Sequence, residues 1–214
     1  VLPVRLEGRR VTGGKVEILL LRRKDGLVFE ALLKPARLKI GESIIFNGGA
    51  VSANITARGE VSFSMPGASV EDVYKLGKTP LPPYIKREPE DLDRIYYQTV
   101  YARKEGSIAS PTAGLHFSEE LIKRIASLGI NIAYLTLHIS YSTFKPIEVE
   151  DIASHRMEKE SFSIPKEAKE LIAKTRKSSG RIIAVGTTSL RALEASSAGT
   201  PEGETDLFIY PGYD

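Results

Sequence analysis

The hydrophobic pattern of this chain changes its period at a proline-rich segment, GKTPLPP, which occupies residues 77–83. Proline fixes φ, lacks a backbone N–H and restricts the residue before it, so we predict that this segment is neither helix nor strand. We therefore predict two domains, residues 1–79 and residues 80–214, with different architectures. The 214 residues are enough for two small domains and a proper core.

Before this segment the pattern is that of short strands. Apolar-rich runs recur at short spacing, and KDG, NGG and RG separate them as turn signals. In VSANI, at residues 51–55, apolar and polar side chains alternate, which indicates a strand with one buried face. Such strands in succession predict a small antiparallel β-barrel or sandwich. The runs lie at residues 15–22, 27–34, 42–46, 50–57 and 60–64.

After this segment, helical and strand-like runs alternate. Amphipathic patterns predict helices at residues 118–128, 166–177 and 190–196. Apolar runs predict buried strands at residues 130–139, 181–185 and 206–210. The alternation of helix and strand predicts an α/β domain with a mostly parallel sheet.

The composition argues against disulfides and a metal site, and against a membrane or secreted location. The chain has no cysteine and 3 widely separated histidines, so we expect neither disulfides nor a metal site. The longest aliphatic run, ILLL at residues 18–21, is too short to span a membrane, and the start lacks the apolar core of a signal peptide. We therefore expect a cytosolic protein. Since the first residue is not methionine and the chain stops just after a strand-like run, we expect a part of a longer chain.

A net charge of +3 permits a polyanionic partner without requiring one. Cations and tyrosines interleave between residues 84 and 104, a pattern that suits phosphates and bases. Composition alone favours a plainer interpretation, a solvated surface with half-buried tyrosines. The residues are Lys86, Arg87, Arg94, Arg103 and Lys104, with Tyr84, Tyr96, Tyr97 and Tyr101.

The segment GTTS, at residues 186–189, is a candidate ligand-binding loop because it follows a predicted strand of the α/β sheet. Gly186 lets backbone approach a ligand, and the hydroxyls and the free N–H groups of the helix start can hold an anion or a ribose. Arg191 lies one turn into the helix. A plain helix cap would need only Ser189, so we favour the ligand interpretation.

The three histidines are the candidate proton carriers. His116 stands beside the small residues of SIASPTAGLHF, where it faces a flat ligand or serves as a hydrogen-bonded spacer. His138 ends a predicted strand, although such a histidine is more often a satisfied core residue. His155 and Glu160 form an acid–base pair if the turn between them folds back, but a solvated charged loop explains them equally well.

Five ordered motifs resemble a known family. They are PLPPYIKR, YQTVYA, SPTAGLHF, VGTTSLRALE and TDLFIYPGY, and TGGKVEILLL fits the barrel segment of the same family. Together they strongly resemble the S-adenosylmethionine:tRNA ribosyltransferase-isomerases of queuosine synthesis, and the likeness covers essentially the whole chain.

The resemblance implies a small β-barrel inserted into an α/β domain, and a monomer. It also implies a reaction in which the ribosyl part of S-adenosylmethionine, a co-substrate, is transferred to 7-aminomethyl-7-deazaguanine at the tRNA wobble position. The product is epoxyqueuosine-tRNA, adenine and methionine leave, and no metal is expected. The sulfonium acidifies the neighbouring carbon, so the protein must supply a base, an acid for adenine and a shielded cleft.

The resemblance also assigns roles. The residues expected in proton transfer are His116, His155 and Glu160. Those expected to bind S-adenosylmethionine are Thr143, Phe144, Gly186, Thr187, Thr188, Ser189 and Arg191. Those expected to bind tRNA are Lys86, Arg87, Arg94, Tyr97 and Arg103. We expect the segments around residues 110, 140, 155 and 188 to converge on one cleft.

The chain departs from the family pattern at three positions. Ser140 and Ser142 replace expected glycines in HISYSTFKPI, and Glu158 replaces the second histidine of the family's H-x-M-H-x-E. The family also extends beyond both ends of this sequence. A catalytically impaired tRNA-binding homologue is therefore the alternative. A methyltransferase fits less well, since no strand is followed by a glycine-rich G-x-G turn.

Overall fold

The computed structural model describes residues 1–144, 147–197 and 199–213. Its contacts divide the chain into two compact units, Val1–Tyr96 and Tyr97–Asp214. Residues 80–96 pack within the first unit, where Arg5 pairs with Glu88 over 3.1 Å. The predicted domain boundary after residue 79 stays a prediction.

The first unit is built around a closed antiparallel barrel of six strands. Hydrogen bonds link these strands in the order β2-β3-β6-β5-β4-β1, and pairing of β1 with β2 closes the barrel. The barrel that the alternating pattern predicted is therefore confirmed. The strands are β1 (Arg5–Arg10), β2 (Lys15–Arg23), β3 (Val28–Lys34), β4 (Ser43–Phe46), β5 (Val51–Ala57) and β6 (Glu60–Ser64).

Alternation along each strand fills the barrel with apolar side chains. On β2, Val16, Ile18 and Leu20 are at most 2% exposed, and the residues between them are more exposed. On β1, Gly8 leaves room for the Ile44 side chain of β4, because a Cβ at Gly8 would lie only 2.6 Å from Ile44 Cγ2. The remaining elements of this unit are α1 (Val70–Lys75), β7 (Gly77–Lys78) and α2 (Asp93–Tyr96).

The second unit combines three helices with a small antiparallel sheet. Its strands pair in the order β10-β9-β8, and both pairings are antiparallel. One hydrophobic cluster joins the sheet to two helices through Leu137, Phe162, Ala168 and Ala192. The elements are α3 (Glu119–Ser127), β8 (Thr136–Leu137), β9 (Glu160–Ser163), α4 (Lys166–Lys177), α5 (Thr187–Ser197) and β10 (Glu202–Thr205).

The predicted mostly parallel α/β sheet is wrong for the described residues of this unit. Apart from the two residues of β8, none of the apolar runs at residues 130–139, 181–185 and 206–210 forms a strand. A parallel strand needs cover on both faces, but Ile182 and Ile183 are 40% and 76% exposed. The first two runs instead line an apolar groove of about 410 Å³ with side chains of α3 and α4.

The three predicted helices of this unit are confirmed. Ser118 caps α3, since its hydroxyl accepts from the Leu121 N–H over 3.1 Å, and α4 has the predicted bounds. In the described ranges, no helix combines the length and the apolar character that crossing a bilayer requires.

Candidate functional site

A buried ion pair forms the polar centre of the second unit. Arg191, in α5, donates from Nη1 to Oε2 of Glu160, the first residue of β9, over 2.5 Å. The two side chains are 11% and 2% exposed, respectively. Because an isolated charge is costly to bury, each of these groups depends on the other for its place in the core.

The remaining hydrogen bonds of this pair tie four segments together. Glu160 Oε1 accepts from the Ser140 backbone N–H over 2.7 Å, which holds the loop after β8. Arg191 Nη2 donates to the carbonyl oxygens of Thr205, at 3.1 Å, and Glu158, at 3.3 Å. The Glu160–Arg191 pair thus joins the loop after β8 to β9, β10 and α5. Both carboxylate oxygens of Glu160 and both terminal nitrogens of Arg191 bond to protein atoms, which favours a positioning role over direct contact with a substrate.

The loop after β8 is ordered by its own hydroxyls. Ser140 Oγ and Ser142 Oγ lie 2.6 Å apart, and the Ser142 N–H donates to Ser140 Oγ over 3.3 Å. The two serines that replace the expected glycines therefore bond to each other. Thr143 is exposed on a short 3₁₀ turn, whereas Phe144 packs against the hydrophobic cluster.

The GTTS loop starts α5 directly beside the SPTAG segment. Gly186 has φ of +88°, a conformation that favours glycine, and a Cβ placed there would lie 3.2 Å from Ala113 Cβ. The Ser189 hydroxyl donates back to the Val185 carbonyl over 2.9 Å, so it is not an N-cap. Thr187 is exposed and Thr188 half-buried.

The SPTAGLHF segment forms a short 3₁₀ helix, Thr112–His116. Gly114 is buried because Tyr101 packs directly onto its α-carbon, and a Cβ there would overlap Tyr101 Oη. Burial, and next the neighbouring Tyr134, raise the pKa of the Tyr101 hydroxyl. His116 ends the segment and is exposed.

His155 packs against Phe208 rather than against the Glu160–Arg191 pair. Its ring is half-buried and meets the ring of Phe208 edge-on at 4.8 Å between centroids. The carboxylate of Glu160 bonds to Arg191 and Ser140 instead, so the predicted acid–base pair of His155 and Glu160 is not formed by these contacts. Within the described ranges, no three His, Asp or Glu side chains form a group that could hold a metal ion.

Three buried side-chain polar atoms in the described part of the chain lack a hydrogen-bond partner, and all three lie in the second unit. They are Ser110 Oγ, His138 Nδ1 and Arg191 Nε. Each is adjacent in sequence to a member of the hydrophobic cluster: Ala109, Leu137 or Ala192. Native proteins satisfy nearly all buried polar groups, and exceptions cluster at functional sites or at bound water.

His138 differs from the satisfied core histidine that the sequence pattern favoured. Pattern alone favoured a satisfied core histidine, but Nδ1 is buried without a partner. Burial, and secondly the charge of Lys104, lower the pKa of the imidazole below its ordinary value. No sequence signal distinguishes an unsatisfied histidine from a satisfied one.

Stability is expected to fall when the pH drops below about 6.5, the ordinary histidine value, because the unfolded chain then binds a proton that folded His138 resists. The loss grows until the pH reaches the lowered folded pKa and then levels off. Urea unfolding of the chain and of His138→Asn across this window checks the sign. Loss of the pH slope in the variant supports the assignment, whereas an identical slope assigns it to other groups.

Of the three predicted tRNA-binding cations in the first unit, Arg87 and Arg94 already form hydrogen bonds within the protein. Arg87 makes a bidentate pair with buried Asp93, at 2.6 and 2.7 Å, and this contact lowers the pKa of the Asp93 carboxyl. Arg94 donates to the Gly77 carbonyl over 2.6 Å. Lys86 is exposed. With Arg5 and Arg87 it lines a surface depression that has a volume of about 500 Å³.

In the second unit, the two predicted tRNA contacts differ in exposure. Tyr97 is only 5% exposed, so its ring belongs to the packed interior. Arg103 is exposed, and its guanidinium carbon lies 6.0 Å from the ring centroid of Tyr134. A guanidinium beside an exposed tyrosine ring is suited to stack on a base.

Comparison with known proteins gives consistent matches over the whole chain. The family model for "Queuosine biosynthesis protein" matches residues 1–214. The S-adenosylmethionine:tRNA ribosyltransferase-isomerase of Thermoanaerobacter sp. (strain X514) is 48% identical over 225 residues. The enzyme of the same name from Sulfurihydrogenibium sp. (strain YO3AOP1) is 46% identical over 219 residues. Both alignments cover 100% of this chain, which spans 65% of the length of these relatives.

Among solved structures, the chain is similar to the S-adenosylmethionine tRNA ribosyltransferase of Thermotoga maritima, at 25% identity and a TM-score of 0.35. That match covers 100% of this chain and 59% of the other.

Proposed function

Because the chain belongs to the queuosine biosynthesis protein family, we propose that the protein transfers and isomerises the ribosyl part of S-adenosylmethionine onto tRNA. The acceptor is 7-aminomethyl-7-deazaguanine at the wobble position, and the products are epoxyqueuosine-tRNA, adenine and methionine. The observation that carries this proposal is the match over the entire chain to relatives that are named for this activity.

The second unit offers a suitable frame for S-adenosylmethionine. The SPTAG segment meets the GTTS loop where Ala113 faces Gly186, and the Glu160–Arg191 pair holds the loop after β8 next to α5. Backbone N–H groups and hydroxyls at the start of α5 suit a ribose edge or a carboxylate. Gly186, Thr187, Thr188 and the exposed Thr143 are the groups that we assign to binding.

We assign roles to the remaining site residues from their burial and their contacts. Phe144, Ser189 and Arg191 support the loops through packing, a backbone hydrogen bond and an ion pair. For the same reason Glu160 acts by positioning. His116 and His155 stay proposed proton carriers, and tRNA is proposed to contact exposed Lys86 and Arg103.

The test incubates the protein with S-adenosylmethionine and tRNA that carries the deazaguanine precursor, and then quantifies small products. We expect adenine and methionine in equal amounts, and none with tRNA that carries guanine at the wobble position. S-adenosylhomocysteine would indicate a methyltransferase instead. Tight tRNA binding without product would identify an impaired homologue, for which the glutamate at position 158 is the motivating observation.

A further inference from the structure

We propose that His138 is the general base of the ribosyl transfer, an assignment that rests on the proposed function. In this step Nε2 of His138 takes a proton from the carbon next to the sulfonium of S-adenosylmethionine. The C–H bond breaks, an N–H bond forms, and the electron pair stays on the carbon beside the positive sulfur. When the glycosidic C–N bond later breaks, its electron pair leaves with adenine, and the imidazolium gives its proton to the adenine, which restores neutral His138.

The backbone on both sides of His138 is firmly held, as a catalytic group requires. The His138 N–H donates to the Ser161 carbonyl of β9 over 2.9 Å. The Ser107 hydroxyl donates to the Leu137 carbonyl at 3.4 Å and accepts from the Ile139 N–H at 3.2 Å. The backbone that carries the imidazole is therefore held by two neighbouring segments.

The packing of the ring selects one nitrogen for chemistry. A Cβ on Gly106 would lie 2.5 Å from His138 Nδ1 and 2.7 Å from Cε1, so the Gly106 backbone covers the Nδ1 side. Nδ1 is buried and unpaired, so Nε2 is the ring nitrogen to which the proposal assigns the proton transfer. Only glycine permits this cover, since a side chain at position 106 would collide with the ring and strain a backbone with φ of +141°.

The electrostatic surroundings keep the ring unprotonated. Burial and the Lys104 charge both lower the pKa of His138, so it is neutral near pH 7 and ready to accept a proton. On β9, the nearby carboxylate of Glu160 is already paired with Arg191 and bonded to Ser140. Its negative charge is therefore offset by the guanidinium.

Ser110 belongs to the segment that bonds to the backbone beside His138. The Ile108 N–H, two residues before Ser110, donates to the Ile139 carbonyl over 2.9 Å. Ser110 Oγ is the second buried polar atom without a partner.

His138→Asn tests the proposal. Under saturating substrates we expect adenine release to slow by about 10²–10⁴-fold, with KM for S-adenosylmethionine and tRNA changed only a few-fold. In deuterated solvent without tRNA, the wild-type protein should exchange the proton beside sulfur, and His138→Asn should not. Retained exchange or an unchanged kcat in the variant would overturn the assignment while leaving the proposed function intact.

The wild-type protein provides a second test that does not depend on how the variant folds. The acid limb of kcat/KM against pH, which reports the free protein, should share its midpoint with the NMR titration of the His138 ring, below the ordinary histidine value. Lys104→Gln should move both midpoints to higher pH, because it removes the nearby positive charge. Midpoints that differ, or a limb that Lys104→Gln leaves in place, would assign the base elsewhere. If wild-type protein releases no adenine, the proposed function fails and this inference fails with it.

Discussion

Glu160→Ala is expected to lower the free energy of unfolding of the second unit by about 3–5 kcal/mol, because it leaves the Arg191 guanidinium buried without its carboxylate. The same change frees the Ser140 N–H and loosens the loop after β8. Hydrogen–deuterium exchange of peptides from this loop and from α5, followed over a urea series, measures the loss within this unit.

The second unit supplies a matched control for this prediction. Lys166 and Glu170 of α4 form an exposed pair at 3.8 Å, with side chains 85% and 66% exposed. Glu170→Ala should therefore change stability by less than about 0.5 kcal/mol. The double variant Glu160→Met with Arg191→Met should recover part of the loss, since it leaves no unpaired charge. If Glu160→Ala behaves like Glu170→Ala, the buried pair is not the polar centre of this unit.

Gly114→Ala is expected to destabilise the second unit by about 1–3 kcal/mol through overpacking. The added Cβ would overlap Tyr101 Oη and lie 2.8 Å from Thr99 Cγ2. Tyr101 has little freedom to move aside, because its ring packs against Tyr134 at 5.6 Å between centroids. Exchange rates of peptides that contain residues 99–117 would report the change.

Two further variants isolate the cause. Tyr101→Phe removes the hydroxyl nearest to position 114, so Gly114→Ala should cost less in that background, while Thr99 Cγ2 at 2.8 Å and Tyr101 Cζ at 3.0 Å still oppose the added Cβ. Gly203→Ala, in β10, is the control, since its nearest neighbour would be Phe162 at an ordinary 3.8 Å. Equal losses for Gly114→Ala and Gly203→Ala would contradict the packing explanation.

The barrel was predictable because its strands carry a strong local pattern. Alternating side chains and glycine turns mark β2 to β6, and the observed bounds differ from the predicted ones by at most one residue. The first strand, RLEGRR, escaped notice because only Leu6 is apolar in it. Its place depends on pairing with β2, β4 and β7, which no local pattern reveals.

The sheet of the second unit was not predictable in the same way. A continuous apolar run such as residues 130–135 suits a strand that is covered on both faces, but it also suits the wall of a groove. Conversely, β9 and β10 read ESFS and EGET, which are too polar and too short to identify as strands. Contacts between distant segments decided which runs became strands and which did not.

The two residues of the buried ion pair could be singled out from the sequence, but their pairing could not. Motifs singled out Glu160 and Arg191, yet 31 positions separate them, so sequence could not show that they neutralise each other. Likewise, no sequence pattern shows that Nδ1 of His138 is buried without a partner, or that the backbone of Gly106 lies against its ring. The burial of a side chain and the identity of its bonding partners depend on the three-dimensional fold, so residue type alone does not reveal them.

Closure of the barrel has a consequence for how the molecule behaves in concentrated solution. All six of its strands have neighbours on both sides, so they offer little free edge on which another chain could add a strand. The second unit lacks that protection, because Ile182 and Ile183 are exposed on backbone that pairs with no strand. We therefore expect self-association to begin at the apolar run of residues 181–185 rather than at the strands of the barrel.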